Sequence, residues 1–440
     1  MKKRLAIFTI LMCVVLLAGC GSATAAVDPF DYATAGINWR QFEGTEINVL
    51  LNQHYCADVI LNNLDQFVEL TGIRPNIEIL AEDDFFAKLV VVLSSSAAPD
   101  AFMLNYTYRA QYLEMDALQP LGPYLDDPAL TNKEWFMFDD FLSSAIDCGS
   151  DTEGNLYGFP ISGEWQVLFY RKDLYEQHGL KVPETFDELL ENAKILKTDE
   201  MSGYAARMAR FSGLWWPFGG VCVTSGAYWI NPDGTTNLND PAVKKAAEMY
   251  VKLVQEAGPQ GVLNYTWYEI SQDFLNGKTA HILDSSGFMA TFEDIENSAV
   301  AGKVGYALIP AFEQGGKRAA SLNHWMLGVS KNARNKEAGY LFSQWATAME
   351  MSRIFAVDGG QITRESMWTD PGVVSKYSAE WIKAQQESIP LADSYTLPNV
   401  IEAAETGDIL TIAINDLYEG GNIDEIFTDA HNKFFSLLGK

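Results

Sequence analysis

Apolar residues in the first third of the chain alternate between two patterns. Short apolar runs predict buried strands at 46–52, 76–80 and 100–104. Between them, apolar residues spaced by three or four positions predict helices over 59–72 and 84–96. Strands and helices that alternate at this spacing favour an α/β fold with a parallel sheet, whose ligands bind beyond the carboxyl ends of its strands.

After residue 149 the two patterns are mixed, so a second structural unit is expected. Short strands are predicted at 156–161, 165–170, 279–283, 304–310 and 326–330. Helices are predicted at 185–196, 240–258, 399–421 and 422–438, with Thr185 as an N-cap. The last quarter of the chain is mostly helical.

The first twenty residues have the pattern of an export signal. Three basic residues precede a short apolar run, Leu5 to Leu17, which is too short to span a bilayer. The following Ala18-Gly19-Cys20 completes a motif that resembles the lipobox of bacterial lipoproteins, in which the cysteine is acylated and becomes the N-terminus. Residues 1–19 are therefore expected to be removed, Cys20 to carry the lipid, and 20–44 to form a tether. Secretion without a lipid is the alternative.

Charge narrows the range of partners. The chain has 31 basic and 58 acidic residues, and loss of the signal takes the formal net charge from −27 to −30. Such a chain repels phosphate backbones, which argues against nucleic acid as a partner. The remaining cysteines form no CxxC pair and the five histidines do not have the spacing of metal ligands. No metal or cofactor is expected.

Several stretches, in this order, resemble one known family. They include FVELTGIRPNIEI, SAAPDAFML, LYGFPISGEWQVLFYRKDLYEQHGL, FLNGKTAHILDSSGFM, VGYALIP and HWMLGVS. They are similar to extracellular solute-binding proteins of ABC importers, in particular the sugar-binding group called family 1. The resemblance implies a monomeric receptor that closes on its ligand by a hinge and is recognised by membrane permease subunits, which work with an ATPase. It implies no catalysis.

The same resemblance implies two α/β lobes with the ligand between them. By position, the first lobe takes 45–157 with 305–355, and the second takes 158–304 with 356–440. The chain is expected to cross between lobes near GFPISG and near GYALIPA.

A sugar site needs flat rings for the C–H faces and planar polar groups for the hydroxyls. Both kinds of residue cluster at the predicted strand ends. The ligand-binding candidates of the first lobe are His54, Tyr55, Asp84, Asn105, Tyr106, Asn323 and Trp325. Those of the second lobe are Glu164, Trp165, Trp215, Trp216, Ser286, Phe288, Gln361 and Arg364.

Four of these candidates carry explicit alternatives: Trp325 is expected to contact ligand rather than fill a core, and the others are Trp215, Trp216 and Arg364. The stretch FSGLWWPFGG is too broken to predict the middle of a helix or strand, and adjacent rings cannot both enter one core. We expect Trp216 to be the exposed ring and Trp215 to be core. Arg207 and Arg210 lie close upstream, and a solvated helix face explains them at least as well as a role in the site. Arg364 either contacts ligand or braces its own loop through carbonyl groups.

Three other functions remain open. A cationic solute such as a polyamine or betaine would fit an aromatic cage with an acidic rim. A secreted glycosidase would need a carboxylate pair, and pairs such as Asp83 and Asp84 are expected by chance among 58 acids. A purely adhesive lipoprotein is the third, and the two-lobed pattern argues against it.

Overall fold

The computed structural model describes residues 27–210, 213–398 and 400–439. The predicted signal sequence and the predicted lipidation at Cys20 lie outside these residues. No helix within them is long and apolar enough to cross a membrane. The tether predicted over 20–44 is wrong for its described part, because Tyr32 and Trp39 are buried against Trp135 in the core of the first lobe.

The first sheet has five strands in the order β2-β1-β3-β9-β4. Their bounds are β1 Glu46–Asn52, β2 Arg74–Leu80, β3 Ala101–Asn105, β4 Gly158–Pro160 and β9 Trp325–Gly328. The first three run parallel, as the alternating pattern predicts, and β9 is antiparallel to β3 and β4.

The second sheet is built around one long strand. Its members are β5 Glu164–Arg171, β6 His281–Ser285, β7 Val304–Ala307, β8 Ala320–Asn323 and β10 Ala392–Asp393. β6, β7 and β8 all pair antiparallel with β5, and β10 adds to β8 in parallel. Seven of the eight residues of β5 are buried, because this strand lies in the middle of the sheet.

Helices cover both sheets. Those up to the first crossover are α1 Tyr55–Asn62, α2 Leu64–Thr71, α3 Glu82–Leu93, α4 Arg109–Glu114, α5 Gly122–Leu125, α6 Lys133–Phe136 and α7 Ser143–Gly149. The next are α8 Lys172–His178, α9 Phe186–Leu196, α10 Trp215–Ser225, α11 Pro241–Ala257, α12 Trp267–Leu275 and α13 Met289–Phe292. The last are α14 Lys336–Thr347, α15 Met349–Gly359, α16 Pro371–Lys376, α17 Ala379–Ser388, α18 Ala403–Tyr418 and α19 Ile423–Leu438.

Local sequence signals explain several helix ends. The Thr185 hydroxyl and the Glu188 carboxylate form a reciprocal capping box at the start of α9. α2 ends at Gly72, which has a left-handed φ of 69° that favours glycine. The helix predicted over 59–72 is interrupted at Asn63, which ends α1 and precedes α2.

The chain crosses between the sheets three times, the third time between β9 and β10, which adds to the second sheet. The first crossover lies between β4 and β5, within the GFPISG segment where it was expected. The second lies at His324, between β8 and β9. The predicted crossover near GYALIPA, and the boundary at 305, are therefore wrong, because β7 and β8 still pair with β5 in the second sheet.

The segment around the paired tryptophans is also more regular than predicted. Residues from Trp215 onward form α10, and Pro217 lies in its first turn, where a missing N–H is tolerated. A Cβ at Gly219 would fall 2.1 Å from the Thr396 carbonyl oxygen, and one at Gly220 would fall 1.9 Å from Gln166 Oε1. These glycines permit close packing of α10 rather than interrupt the helix.

Candidate functional site

A cleft of about 320 Å³ lies where the ends of strands from both sheets meet. Its lining residues are Asn52, Gln53, His54, Tyr55, Asp58, Glu82, Asn105, Glu164, Arg207, Gly213, Trp215, Trp216, Trp267, Ser285, Gly287, Phe288, Thr291, Asn323, Trp325 and Gln361. Asn52 and Asn105 end two parallel strands of the first sheet, whereas Glu164 and Ser285 lie at the paired ends of β5 and β6. The site is thus composed of residues from both sheets, as strand-end chemistry predicts.

A histidine–carboxylate pair joins the two halves of the cleft. His54 Nε2 lies 3.5 Å from Glu164 Oε1, and the Ser285 hydroxyl donates to Glu164 Oε2 at 2.9 Å. Burial alone would raise the pKa of Glu164, but the contacts with His54 and Ser285 outweigh it and hold the pKa below its ordinary value. Glu164 is therefore ionised at neutral pH, with its charge compensated inside the site.

A buried arginine provides the second cation. Arg207 Nε donates to Asp284 Oδ2 at 2.9 Å, and the pair is two-pronged, with the Arg207 side chain only 11% exposed. The interpretation of Arg207 as part of a solvated helix face is wrong, because this segment is not helical and the Arg207 side chain lines the cleft. Arg210 instead pairs with Asp408 of α18.

Glu82 is the third acidic group of the cleft besides Glu164 and Asp58. It is the first residue of α3, which directs it toward the site. Burial raises the pKa of Glu82, while Arg207 and His54 act in the opposite direction.

Aromatic rings form opposite walls of the cleft. Trp325 stacks on Phe86 with ring centres 5.8 Å apart and planes 15° apart, and also contacts His54. On the second lobe, Trp267 stacks on Phe288 at 22°. Such rings present apolar faces to a ligand at low entropic cost.

The exposure of the paired tryptophans is the reverse of the prediction. Trp216 is 4% exposed and has the Arg207 guanidinium 5.4 Å from its ring centre, whereas Trp215 is half-buried. The helix explains this, because residues 100° apart on α10 face the core and the cleft edge respectively. Both rings nevertheless line the cleft.

Four polar atoms in the lining are buried and have no hydrogen-bond partner within the described part of the chain. They are Asn52 Oδ1, Tyr55 OH, Trp216 Nε1 and Gln361 Oε1. Each of these atoms is itself shielded from solvent, so its partner would be an enclosed water or a group brought close by a rearrangement of the lining.

Most of the residues chosen from the sequence lie at this cleft. They are His54, Tyr55, Asn105, Glu164, Trp215, Trp216, Phe288, Asn323, Trp325 and Gln361. Their contact with ligand remains a prediction.

Five chosen residues do not line the cleft. Asp84 is exposed on the outer side of the first turn of α3, where Glu82 faces the cleft instead. Tyr106 is buried, and its hydroxyl donates to the Ser394 carbonyl. Trp165 follows Glu164 on β5 and therefore faces the opposite side of the sheet, against Trp368.

Ser286 and Arg364 have structural partners. The Ser286 hydroxyl accepts a hydrogen bond from the Trp165 amide. Arg364 is fully buried and donates to the carbonyls of Phe136, Met137 and Thr347, which is the bracing alternative. Burial lowers the pKa of Arg364 to about 9.

Residues missed from the sequence include Glu82, Arg207 and Trp267. Trp267 follows Thr266, whose capping box with Glu269 is visible in the sequence and places the ring at the first position of a helix. Glu82 lines the cleft because of the rotation of α3 about its axis, and Arg207 is held there by the distant Asp284. The periodicity of the sequence predicts neither. Among the described residues, no group of three potential metal ligands comes together.

The two sheets, the crossovers and the cleft between them define a two-lobed solute-binding protein. Residues 60–352 match the family model of bacterial extracellular solute-binding proteins, and the chain belongs to that family.

Relatives of known specificity and solved structures agree with this family. An erythritol/L-threitol-binding protein of Mycolicibacterium smegmatis is 29% identical over 78% of this chain and 74% of its own length. The solute-binding protein of Agrobacterium radiobacter in complex with ribitol has a TM-score of 0.82 at 22% identity, covering 90% of this chain and 99% of that one. The Agrobacterium vitis protein with bound D-mannitol has a TM-score of 0.80 at 22% identity, with coverage of 90% and 99%.

Proposed function

We propose that this protein is the substrate-binding receptor of an ABC importer for a neutral carbohydrate, either a mono- or oligosaccharide or a polyol. It captures the ligand by hinge closure and delivers it to membrane permease subunits and their ATPase. The protein acts as a monomer, is anchored outside the cytoplasm through lipid on Cys20, and catalyses no reaction.

The observation that supports this proposal is the combination of partly exposed rings with polar side chains in one lining. Trp267 and Trp215 contribute partly exposed rings, and Gln53 and Asn323 add amide groups to the same lining. A hydroxyl both donates and accepts, so a ligand with several hydroxyls can pair with such amide groups. The relatives that bind erythritol or mannitol and the structures with ribitol or D-mannitol support the same ligand class.

The charges of the lining support a neutral ligand. Its two cationic residues within the described chain, His54 and Arg207, already have carboxylate partners in Glu164 and Asp284. An anionic ligand would have to displace one of these buried partners, which is costly.

A cationic solute is a second candidate, favoured by the excess acid in the lining. Asp58, Glu82 and Glu164 outnumber the two cationic residues, and several tryptophans stand beside them. The salt dependence of binding distinguishes the two candidate ligands. Binding of a neutral polyol should hardly change between low and high ionic strength, whereas binding of a polyamine should weaken.

The non-catalytic part of the proposal has its own test. Glu82 and Glu164 have pKa values shifted in opposite directions, as an acid and a base would have. Incubation with chromogenic glycosides should give no product. Turnover that is lost in Glu82→Gln would contradict the receptor assignment.

Anchoring is tested separately on cells. The wild-type protein should fractionate with membranes and incorporate labelled palmitate, and Cys20→Ser should lose both properties. Label in Cys20→Ser would place the lipid elsewhere.

A further inference from the structure

A second cavity continues from the cleft toward the C-terminal helix α18. The cleft described above is called the inner chamber, and the second cavity, of about 330 Å³, is called the outer chamber. The outer chamber is lined by Glu82, Asp83, Phe86, Asn105, Tyr108, Gly213, Trp215, Ala404, Gly407, Asp408 and Thr411. Glu82, Asn105, Gly213 and Trp215 line both chambers, so the two are continuous.

A row of aromatic rings runs from one chamber into the other along the first lobe. Trp325 of the inner chamber stacks on Phe86, and Phe86 lies 4.1 Å from Tyr108 between ring centres, both in the outer chamber. The three rings pack on one another in sequence, so the apolar wall of the inner chamber continues into the outer chamber, where a second sugar unit can contact it.

On the opposite wall of the outer chamber, a glycine of α18 allows a tryptophan ring to pack closely. A Cβ at Gly407 would fall 2.5 Å from Trp215 Cδ1, so glycine allows the Trp215 ring to lie against the helix. Trp215 then faces both chambers from the second lobe, across from Phe86 and Tyr108.

Hydrogen-bond acceptors accompany these rings. Asp83 and Asp408 add carboxylates to the shared Glu82 and Asn105, and Asp408 is held by its ion pair with Arg210. Carboxylates and amides of this kind accept hydrogen bonds from sugar hydroxyls.

We propose that the outer chamber is a subsite for a glycosyl unit, joined to the sugar or polyol that the inner chamber holds. The ligand would then be a glycoside of at least two units, and this inference rests on the proposed function. Each chamber alone has a volume near the lower end of small-ligand sites, about 300–1,000 Å³. The α18 residues lie outside the 60–352 family match, so the family model assigns them no role.

The test uses a substitution that fills only the outer chamber. Ala404 is exposed on the first turn of α18 and lines the outer but not the inner chamber, so Ala404→Trp should block it. Ala379 is an exposed alanine in the first turn of α17 and lines neither chamber, so Ala379→Trp is the matched control. Calorimetric titration would compare monosaccharides and four- to six-carbon alditols with disaccharides and with maltitol, lactitol and isomalt.

In the wild type, at least one glycosyl-alditol should bind about tenfold or more tighter than its parent alditol. Ala404→Trp should remove that advantage while it leaves alditol affinity within about threefold, and Ala379→Trp should change neither. If alditols bind and no glycosyl derivative binds as well, or if Ala404→Trp leaves the long ligand unaffected, the outer subsite is refuted and the receptor assignment stands. If no sugar or polyol binds any variant, the proposed function itself fails.

Discussion

The paired tryptophans give a sharp internal comparison, because two adjacent residues receive the same substitution. Trp216 is 4% exposed, so Trp216→Ala leaves a large cavity beneath α10 and should lower the free energy of unfolding by about 3–5 kcal/mol. It also removes the Arg207 contact with the ring, of about 1 kcal/mol. Trp215 is half-buried, and Trp215→Ala should cost stability only about 1 kcal/mol.

Binding should respond differently from stability. Loss of the Trp215 face removes about 1 kcal/mol of ring contact, which weakens affinity by roughly fivefold. Trp216→Phe keeps most of the buried ring and deletes an indole N–H that is shielded from the cleft, so ligand affinity should change little.

Denaturant unfolding of the ligand-free variants and calorimetric titration of folded protein measure these two effects separately. If Trp215→Ala lowers the unfolding free energy more than Trp216→Ala, the assignment of Trp216 to the core is wrong. A large affinity loss in Trp216→Phe at unchanged stability would mean that its indole N–H contacts the ligand.

The remaining predictions concern charge, pH and the back of the site. Glu164 has a lowered pKa, so its ionised form stabilises the folded protein above pH 4.5, the pKa of the group in the unfolded chain. This contribution is lost as pH falls through the lowered pKa. In thermal melts, the Tm of Glu164→Gln should therefore fall less between pH 7 and 3.5 than the Tm of wild type. Burial lowers the pKa of His281 from 6.5 to about 4. As pH falls, the imidazole is therefore protonated in the unfolded chain before it is protonated in the folded protein. About 2 kcal/mol of stability should be lost between pH 7 and 5. His281→Gln should lack this part of the loss in denaturant titrations, whereas the exposed His178→Gln should retain it. Arg364→Met should lower the free energy of unfolding by about 3–5 kcal/mol, because it leaves the carbonyls of Phe136 and Thr347 without a donor. The ligand affinity of the folded protein should change little. A large affinity loss at unchanged stability would instead mean that Arg364 contacts the ligand. Gly407→Ala should shift the Trp215 ring and weaken ligand binding. Gly122→Ala is the control, because a Cβ at Gly122 meets open space and should not change binding. Equal ligand affinities of the two variants would contradict the packing of Trp215 on α18.

Much of the fold follows from periodicity. The strands and helices of the first lobe, the capping box at Thr185 and the long helices α11, α18 and α19 lie close to their predicted positions. The second crossover does not, because VGYALIP has the same apolar pattern in either sheet, and only its pairing with β5 decides where it belongs.

The sequence predicted that the site lies at the strand ends, but not which neighbouring side chains line it. Residues at or just after the carboxyl end of a parallel strand, such as Asn105 and His54, lie at the cleft because topology requires it. The choice between neighbours, Glu82 against Asp84 or Trp215 against Trp216, depends on the rotation of a helix about its axis. Partners such as Asp284 for Arg207 lie 77 residues away, and sequence spacing gives no sign of them.

The central claim is that the cleft holds a neutral, hydroxyl-rich solute. The most direct measurement is a thermal melt of the purified protein against sugars, alditols and glycosyl-alditols beside polyamines and betaine, followed by titration of each solute that raises the Tm. The account predicts a sugar or polyol with Kd near the micromolar range, about −8 kcal/mol, whose affinity is unchanged by salt. Stabilisation by cationic solutes alone, weakened by salt, would contradict it.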